Sequence, residues 1–245
     1  SGRPTAHTEA SGDGLWREVD ESAIARRQAR QIVPLAYRSL TLDNARLMDS
    51  LAKAPMEDRR TPISSQPELS IPMPDGSFAR FRIVESPIMA PELAAKFPEI
   101  KTYLGQGIDD PTATLRFDVT PRGFHGQILS SKGTAYIDPY QPGDNDHYIA
   151  YAKRDLRRSG SPMKCLVTGE DNSEGLLESA DPFLAEVKSA VASDTSTPAA
   201  VPSGGTLRTY RAAVAATGEY TTFHGGTKSG AMSGIVSTMN RVNGI

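Results

Sequence analysis

The chain has 245 residues, 23 % of them charged, and a formal net charge of −2. That length can bury a sizeable core, and so even a charge balance supplies no basic field for phosphate backbones or anionic lipid, so neither nucleic acid nor a membrane is an expected partner. No apolar run approaches the roughly 18 residues of a membrane span, and residues 1–14, small and polar, suit a frayed end left after a removed signal.

The first periodic element is a helix over 42–51, where Leu47, Met48 and Leu51 share a face, Thr41 or Asp43 can cap it and Pro55 lies beyond its end. From Leu69 the period changes to two. Leu69, Ile71 and Met73 alternate, Pro74-Asp75-Gly76 supplies turn chemistry, and Phe81 and Ile83 alternate with Arg80 and Arg82, which predicts a hairpin. Pro91 to Phe97 predicts a brief helix opening at its proline. Ala113, Leu115, Phe117 and Val119 then alternate with Thr114, Arg116 and Asp118, and a Pro121-Arg122-Gly123 turn leads to a partner strand over 124–129. A Ser131-Lys132-Gly133 turn precedes a strand over 134–138, and His147 to Lys153 gives another. The prediction is an α+β fold, mainly an antiparallel, half-buried β domain over 69–169 with short flanking helices.

Asp181-Pro182 reads as an N-cap with proline at the first helical position, and Phe183, Val187 and Val191 follow at a spacing of four. Ser193 to Thr206 is rich in Ser, Thr, Pro, Ala and Gly, cannot repay its ordering entropy by burial, and is expected to be an exposed linker. Beyond it, Tyr210 to Ala216 suits a strand covered on both faces, and Met232, Ile235, Val236, Met239 and Val242 form a helical stripe. One strand and one helix cannot hide such faces alone, so a second domain is expected to begin near Leu207 and to be cut off at Ile245.

Complete catalytic motifs are absent from the sequence. A zinc peptidase needs two histidines one helical turn apart plus a glutamate base, whereas His7, His125, His147 and His224 are scattered and read as surface or hydrogen-bonded structural residues. No Gly-x-Ser-x-Gly elbow and no phosphate-binding glycine loop is present. The segment with the sharpest chemistry is Ser161 to Thr168 around Cys165, the only cysteine. Taken alone it reads as a half-buried strand residue. The other reading is a zinc ligand: a thiolate delivered to the open position of a protease zinc displaces the nucleophilic water, and Lys164, Arg157 and Arg158 would favour that thiolate.

From about Ile32 onward the chain resembles the precursor of bacterial reprolysin-like (adamalysin-type, metzincin) zinc metallopeptidases. The likeness is carried by Ile71-Pro72-Met73-Pro74-Asp75-Gly76, Glu85-Ser86-Pro87-Ile88-Met89, Phe97 to Tyr103 and Gly123-Phe124-His125, and most specifically by Leu207 to Tyr220, continued by Met239-Asn240-Arg241-Val242-Asn243. The resemblance implies a flexible segment over 1–31, an inhibitory propeptide over 32–192, a linker over 193–206 and the strand-helix start of an α/β catalytic domain over 207–245. Activation cleavage is then expected around Ser203, Gly204, Gly205 and Arg208. Pro162-Met163-Lys164-Cys165-Leu166-Val167-Thr168 is similar to the Pro-Lys-Met-Cys-Gly-Val-Thr latency segment of eukaryotic relatives, with Met and Lys exchanged and Leu166 in place of glycine.

The resemblance further implies a secreted protein, zinc held by a histidine-rich helix downstream of Ile245, the chain's own catalytic domain as partner, and protein substrates for the mature enzyme. The alternative expectation is an extracellular protein- or glycan-binding β module presenting an aromatic patch from Tyr136, Tyr140, Tyr148 and Tyr151.

Overall fold

The computed structural model describes residues 10–58, 66–156 and 212–245. Nine strands dominate it: β1 (Trp16–Glu18), β2 (Arg38–Leu42), β3 (Glu68–Pro72), β4 (Phe78–Glu85), β5 (Lys101–Gly107), β6 (Thr114–Thr120), β7 (Gly123–Ser130), β8 (Gly133–Pro139) and β9 (His147–Ala152). They form one sheet in the order β1-β2-β9-β8-β7-β6-β5-β4-β3, every neighbouring pair antiparallel. Among the described residues four α-helices accompany it: α1 (Asn44–Leu51), α2 (Pro91–Ala94), α3 (Gly218–Phe223) and α4 (Lys228–Val242). The protein is thus α+β and mainly β, as its alternating segments predict.

The sheet curls until its two edge strands, β1 and β3, come into contact. Ser70 N donates to Asp13 Oδ2 at 2.6 Å across that seam. Curling of this kind follows from the right-handed twist accumulated over many strands, and it turns one face inward. That face carries the alternating apolar residues: Leu40, Leu69, Ile71, Phe81, Ile83, Leu115, Phe117, Phe124, Ile128, Ile137, Tyr148 and Ala150 pack as one core. Trp16 stands at its centre, 5.5 Å from the Phe124 and Tyr148 rings and edge-on to both.

Local chemistry explains the elements the sequence announces. Asp43 caps α1 by accepting from Arg46 N at 3.0 Å, and Leu47 and Leu51 are buried. Met48, expected on the same face, is 53 % exposed, because one 100° step from Leu47 carries it toward solvent. Gly76, Gly123 and Gly133 adopt positive φ at three hairpin turns, where a side chain would be strained. Strands β1, β2 and β5 were not foreseen. Thr41 lies in β2 rather than capping a helix. Residues 10–31 also differ from the flexible segment expected over 1–31: Leu15, Trp16 and Ile24 are buried.

The sheet is not half-buried throughout. On its outer side the long β1–β2 connection lies over β8 and β9, where Ile24, Tyr140, Ile149 and Tyr151 form a second apolar cluster. Helix α4 lies over β6 and β7. Strand β7 is consequently buried along both faces from Gly123 to Ile128.

Candidate functional site

The surface between α4 and the outer side of β6–β8 is rich in buried polar side chains. Alternation aims Phe117, Phe124 and Ile137 inward, so the same strands must aim Asp118, His125 and Asp138 outward. Asp118, His125, Gln127 and Asp138 are all buried there, and α4 answers with Ser233, Ser237 and Asn240. Small residues make the approach close. A Cβ added at Gly234 would lie 2.6 Å from His224 Cε1.

Two connected networks fill the layer. Asp118 Oδ1 accepts from Ser237 Oγ at 2.7 Å, and His125 Nδ1 lies 3.1 Å from the same oxygen. A carboxylate can only accept, so Nδ1 carries the hydrogen. Asn240 Nδ2 donates to Phe117 O at 2.9 Å, taking up a carbonyl of β6. Beside these, Asp138 accepts from Arg241 Nη2 and from Tyr151 OH, both at 2.7 Å, and the Arg241 guanidinium lies over the Tyr136 ring. Burial works against the Arg241 charge, yet Asp138 more than offsets it, so its pKa is raised. Burial, with Asp138 adding to it, raises the Tyr151 phenol well above its ordinary value.

The third contact is between the β6–β7 turn and the α3–α4 turn. Arg122 Nη1 meets His224 Nδ1, with the imidazole also against the Tyr220 and Phe223 rings. A guanidinium can only donate, so Nδ1 must be unprotonated. Burial, then Arg122 and His125, depresses the His224 pKa, and burial also lowers that of Arg122. Between these groups and the β1–β2 connection runs a cleft of about 210 Å³, lined by Ile32, Arg122, His125, Gln141, His224 and Arg241 among others.

This arrangement holds a helix better than it performs a reaction. Ser237 donates to a carboxylate and not to an imidazole, so the serine–histidine relay of an activated serine is not formed. Nor do the described histidines converge: His125 faces Asp118, His147 faces Asp144 and His224 faces Arg122. Among the described residues no group of three or more His, Cys, Asp or Glu could hold a metal ion, so zinc does not fit this layer.

Several expectations meet the structure here. His125 and His147 are hydrogen-bonded structural residues, and His224 occupies the glycine turn, where Gly225 and Gly226 have positive φ. Tyr140, Tyr148 and Tyr151 are buried, so they form no exposed aromatic patch. The expected strand over 210–216 is absent from 212–216, which is exposed and pairs with no described strand; a run of small alanines with no free edge beside it gains little from extension. Helix α4 was expected to bury Met232, Ile235, Val236, Met239 and Val242. Of these it fully buries Val236 alone, together with Gly230, Ala231, Ser233, Gly234, Ser237 and Asn240, and Val242 is 55 % exposed. The sheet opposite is polar, so polar and small residues match it. Val214 to Ile245 accordingly belongs to one compact unit with Ser1 to Arg158.

His7, Cys165 and the cleavage-region residues Ser203, Gly204, Gly205 and Arg208 lie outside the described residues. The Asp118, Asp138, Ser237, Asn240 and Arg241 layer was not foreseen; its one sequence signal was the charge at the outward positions Arg116 and Asp118 of β6 and Asp138 of β8, opposite a helix without leucine. No protein-family model matches the chain, and no curated protein or solved structure matches it either.

Proposed function

We propose that the chain is the propeptide region of a secreted zinc metalloendopeptidase zymogen, in which the β domain keeps the protease latent and assists its folding. In this reading residues 207–245 begin the protease, Cys165 ligates its zinc while the precursor is intact, and cleavage between Ser193 and Arg208 releases the enzyme. The observation that carries the proposal is the polar seating of α3 and α4, the part whose sequence resembles the protease, on the outer side of the sheet. Permanent interfaces are usually apolar, whereas partners that must later separate meet through more polar surfaces. Ser237 on Asp118, Asn240 on Phe117 O, Arg241 on Asp138 and Ser229 on Glu99 are contacts of the second kind.

The test uses the full precursor expressed from its gene. Bound zinc and casein hydrolysis are measured before and after cleavage of the 193–208 segment, with and without a chelator. Zinc bound throughout and hydrolysis that appears only after cleavage are expected; no zinc and no hydrolysis in either state would sink the reading. Cys165→Ala precursor should hydrolyse casein uncut. If it stays latent, the thiol is not the ligand and the β domain acts by cover alone.

A further inference from the structure

The connection between β1 and β2 combines features found nowhere else among the described residues. Residues 24–37 form neither helix nor strand, yet they link a strand that carries the centre of the core. Residues 25–29, Ala25-Arg26-Arg27-Gln28-Ala29, are all exposed, and the Arg26 side chain is 76 % exposed. The other exposed arginines among the described residues lie in regular elements: Arg17 in β1, Arg46 in α1, Arg80 in β4 and Arg154 in the 3-10 turn Lys153–Asp155. An endopeptidase needs an extended, detachable stretch, and exposed loops supply it.

The geometry points to the Arg26–Arg27 and Arg27–Gln28 bonds as a processing site for an arginine-specific endopeptidase, whose cut unseats β1 and opens the barrel. Water adds across the peptide bond, its hydroxyl to the arginine carbonyl carbon and its proton to the departing amine. Arg30 is not the target, because its guanidinium is held by Tyr37 OH at 2.7 Å and Glu21 at 3.3 Å and lies between the Tyr37 and Tyr140 rings. The inference stands on the fold alone and concerns bonds other than those of the 193–208 linker of the zymogen reading.

One buried side chain governs access. Gln141 Oε1 accepts from Arg27 N at 2.9 Å and Gln28 N at 3.2 Å, and its Nε2 donates to Ala25 O at 2.8 Å. The arginine side chains are thereby displayed while their backbone is pinned, so the cutting rate follows how often the clamp opens. After the cut, residues 10–26 lose the tether that kept them at a high effective concentration and are held by non-covalent contacts alone: the β2 ladder, Asp13 on Ser70, Glu18 on Arg38, Glu21 on Tyr37, Tyr140 and Arg30, Ala25 O on Gln141, and the burial of Leu15, Trp16 and Ile24. Trp16 is the only tryptophan of the chain, so its emission reports whether β1 is seated.

The experiment treats the folded full chain with low trypsin, identifies new termini by mass spectrometry, and follows Trp16 emission and gel filtration. New ends at Arg26 or Arg27, a red shift and a separately eluting N-terminal fragment are expected. Arg26→Gln/Arg27→Gln should slow release of that fragment by on the order of a hundredfold, and Gln141→Ala should speed it by about tenfold while the uncut protein keeps its blue emission. The proposal is overturned if these two bonds survive while strands elsewhere are cut. It is equally overturned if they are cut and the fragment co-elutes with unchanged emission, or if Gln141→Ala, still folded, is cut no faster.

Discussion

The inner core of this sheet and the outer layer beneath α4 are both buried, with opposite chemistry. Inside, Trp16, Phe117, Phe124 and Tyr148 stack among aliphatic side chains, and that layer needs only shape and volume to match. Outside, beneath α4, buried Asp118, His125, Asp138 and Asn240 must each find a partner of the right sign and direction. The inner layer therefore supplies stability. The outer layer supplies specificity of docking, at small net gain, and makes the seating of α4 sensitive to single atoms and to protons.

Truncation inside should do the largest damage. Trp16→Ala removes the ring that joins β1 to Phe124 and Tyr148, and a loss of about 3–5 kcal/mol in urea unfolding is expected, with β1 released from the sheet. Asp138→Ala tests the other layer: it strands the Arg241 guanidinium and the Tyr151 hydroxyl. Because Arg241 remains 26 % exposed, about 3 kcal/mol is expected, read as faster amide exchange in α4 with little change in β6 and β7 cores. If the two variants melted the molecule identically, the division into a stabilising side and a docking side would fail.

A third variant separates packing from helix propensity. In an isolated helix Gly234→Ala would gain about 1 kcal/mol. Here the new methyl meets the His224 ring at 2.6 Å, and the ring is already confined by Arg122, Tyr220 and Phe223. A net loss of about 1–2 kcal/mol is expected, seen as weakened protection of α3 and α4 by hydrogen exchange. A gain would mean that α3 is not seated on α4 through that ring.

How far the sequence could be read follows the same division. Alternation marks β3, β4 and β6 to β9 because one face of each enters an apolar core, and glycine at positive φ marks the turns. Strand β5 escapes because Gly105 and Gly107 interrupt its apolar face; Gly105 is needed there, since a Cβ would press on Leu115 and Phe81. Strand β1 escapes because three residues are too few to show a period, and its importance rests on one side chain. The polar layer is illegible for a deeper reason. Periodicity detects what water expels, and Asp118, Ser237 and Asn240 carry no such signal; only the fold, by bringing residues more than a hundred positions apart together, reveals that they are partners. The stripe Met232, Ile235, Met239 and Val242 misled for the same cause, since it is apolar yet turned from the sheet.

The smallest expected effect is the most informative about the outer layer, because it changes a proton and no atom of the backbone. His224 has a pKa depressed by burial and then by Arg122 and His125, so the folded state prefers the neutral ring more than the unfolded chain does. Its contribution is therefore complete above the unfolded pKa of about 6.5 and is lost as the pH falls from there through the depressed folded value, where the unfolded chain binds the extra proton first. Protonation would also place a cation against Arg122 and remove the Nδ1 lone pair that receives its hydrogen. Exchange protection of α3 and α4 should thus weaken on acidification through the histidine range while the Phe117 and Phe124 strands keep theirs. His224→Gln, which retains an acceptor and cannot take up a proton, should flatten that dependence. Protection that rises as the pH falls would show that the imidazole is charged in the native protein, and the contact to Arg122 would have to be abandoned.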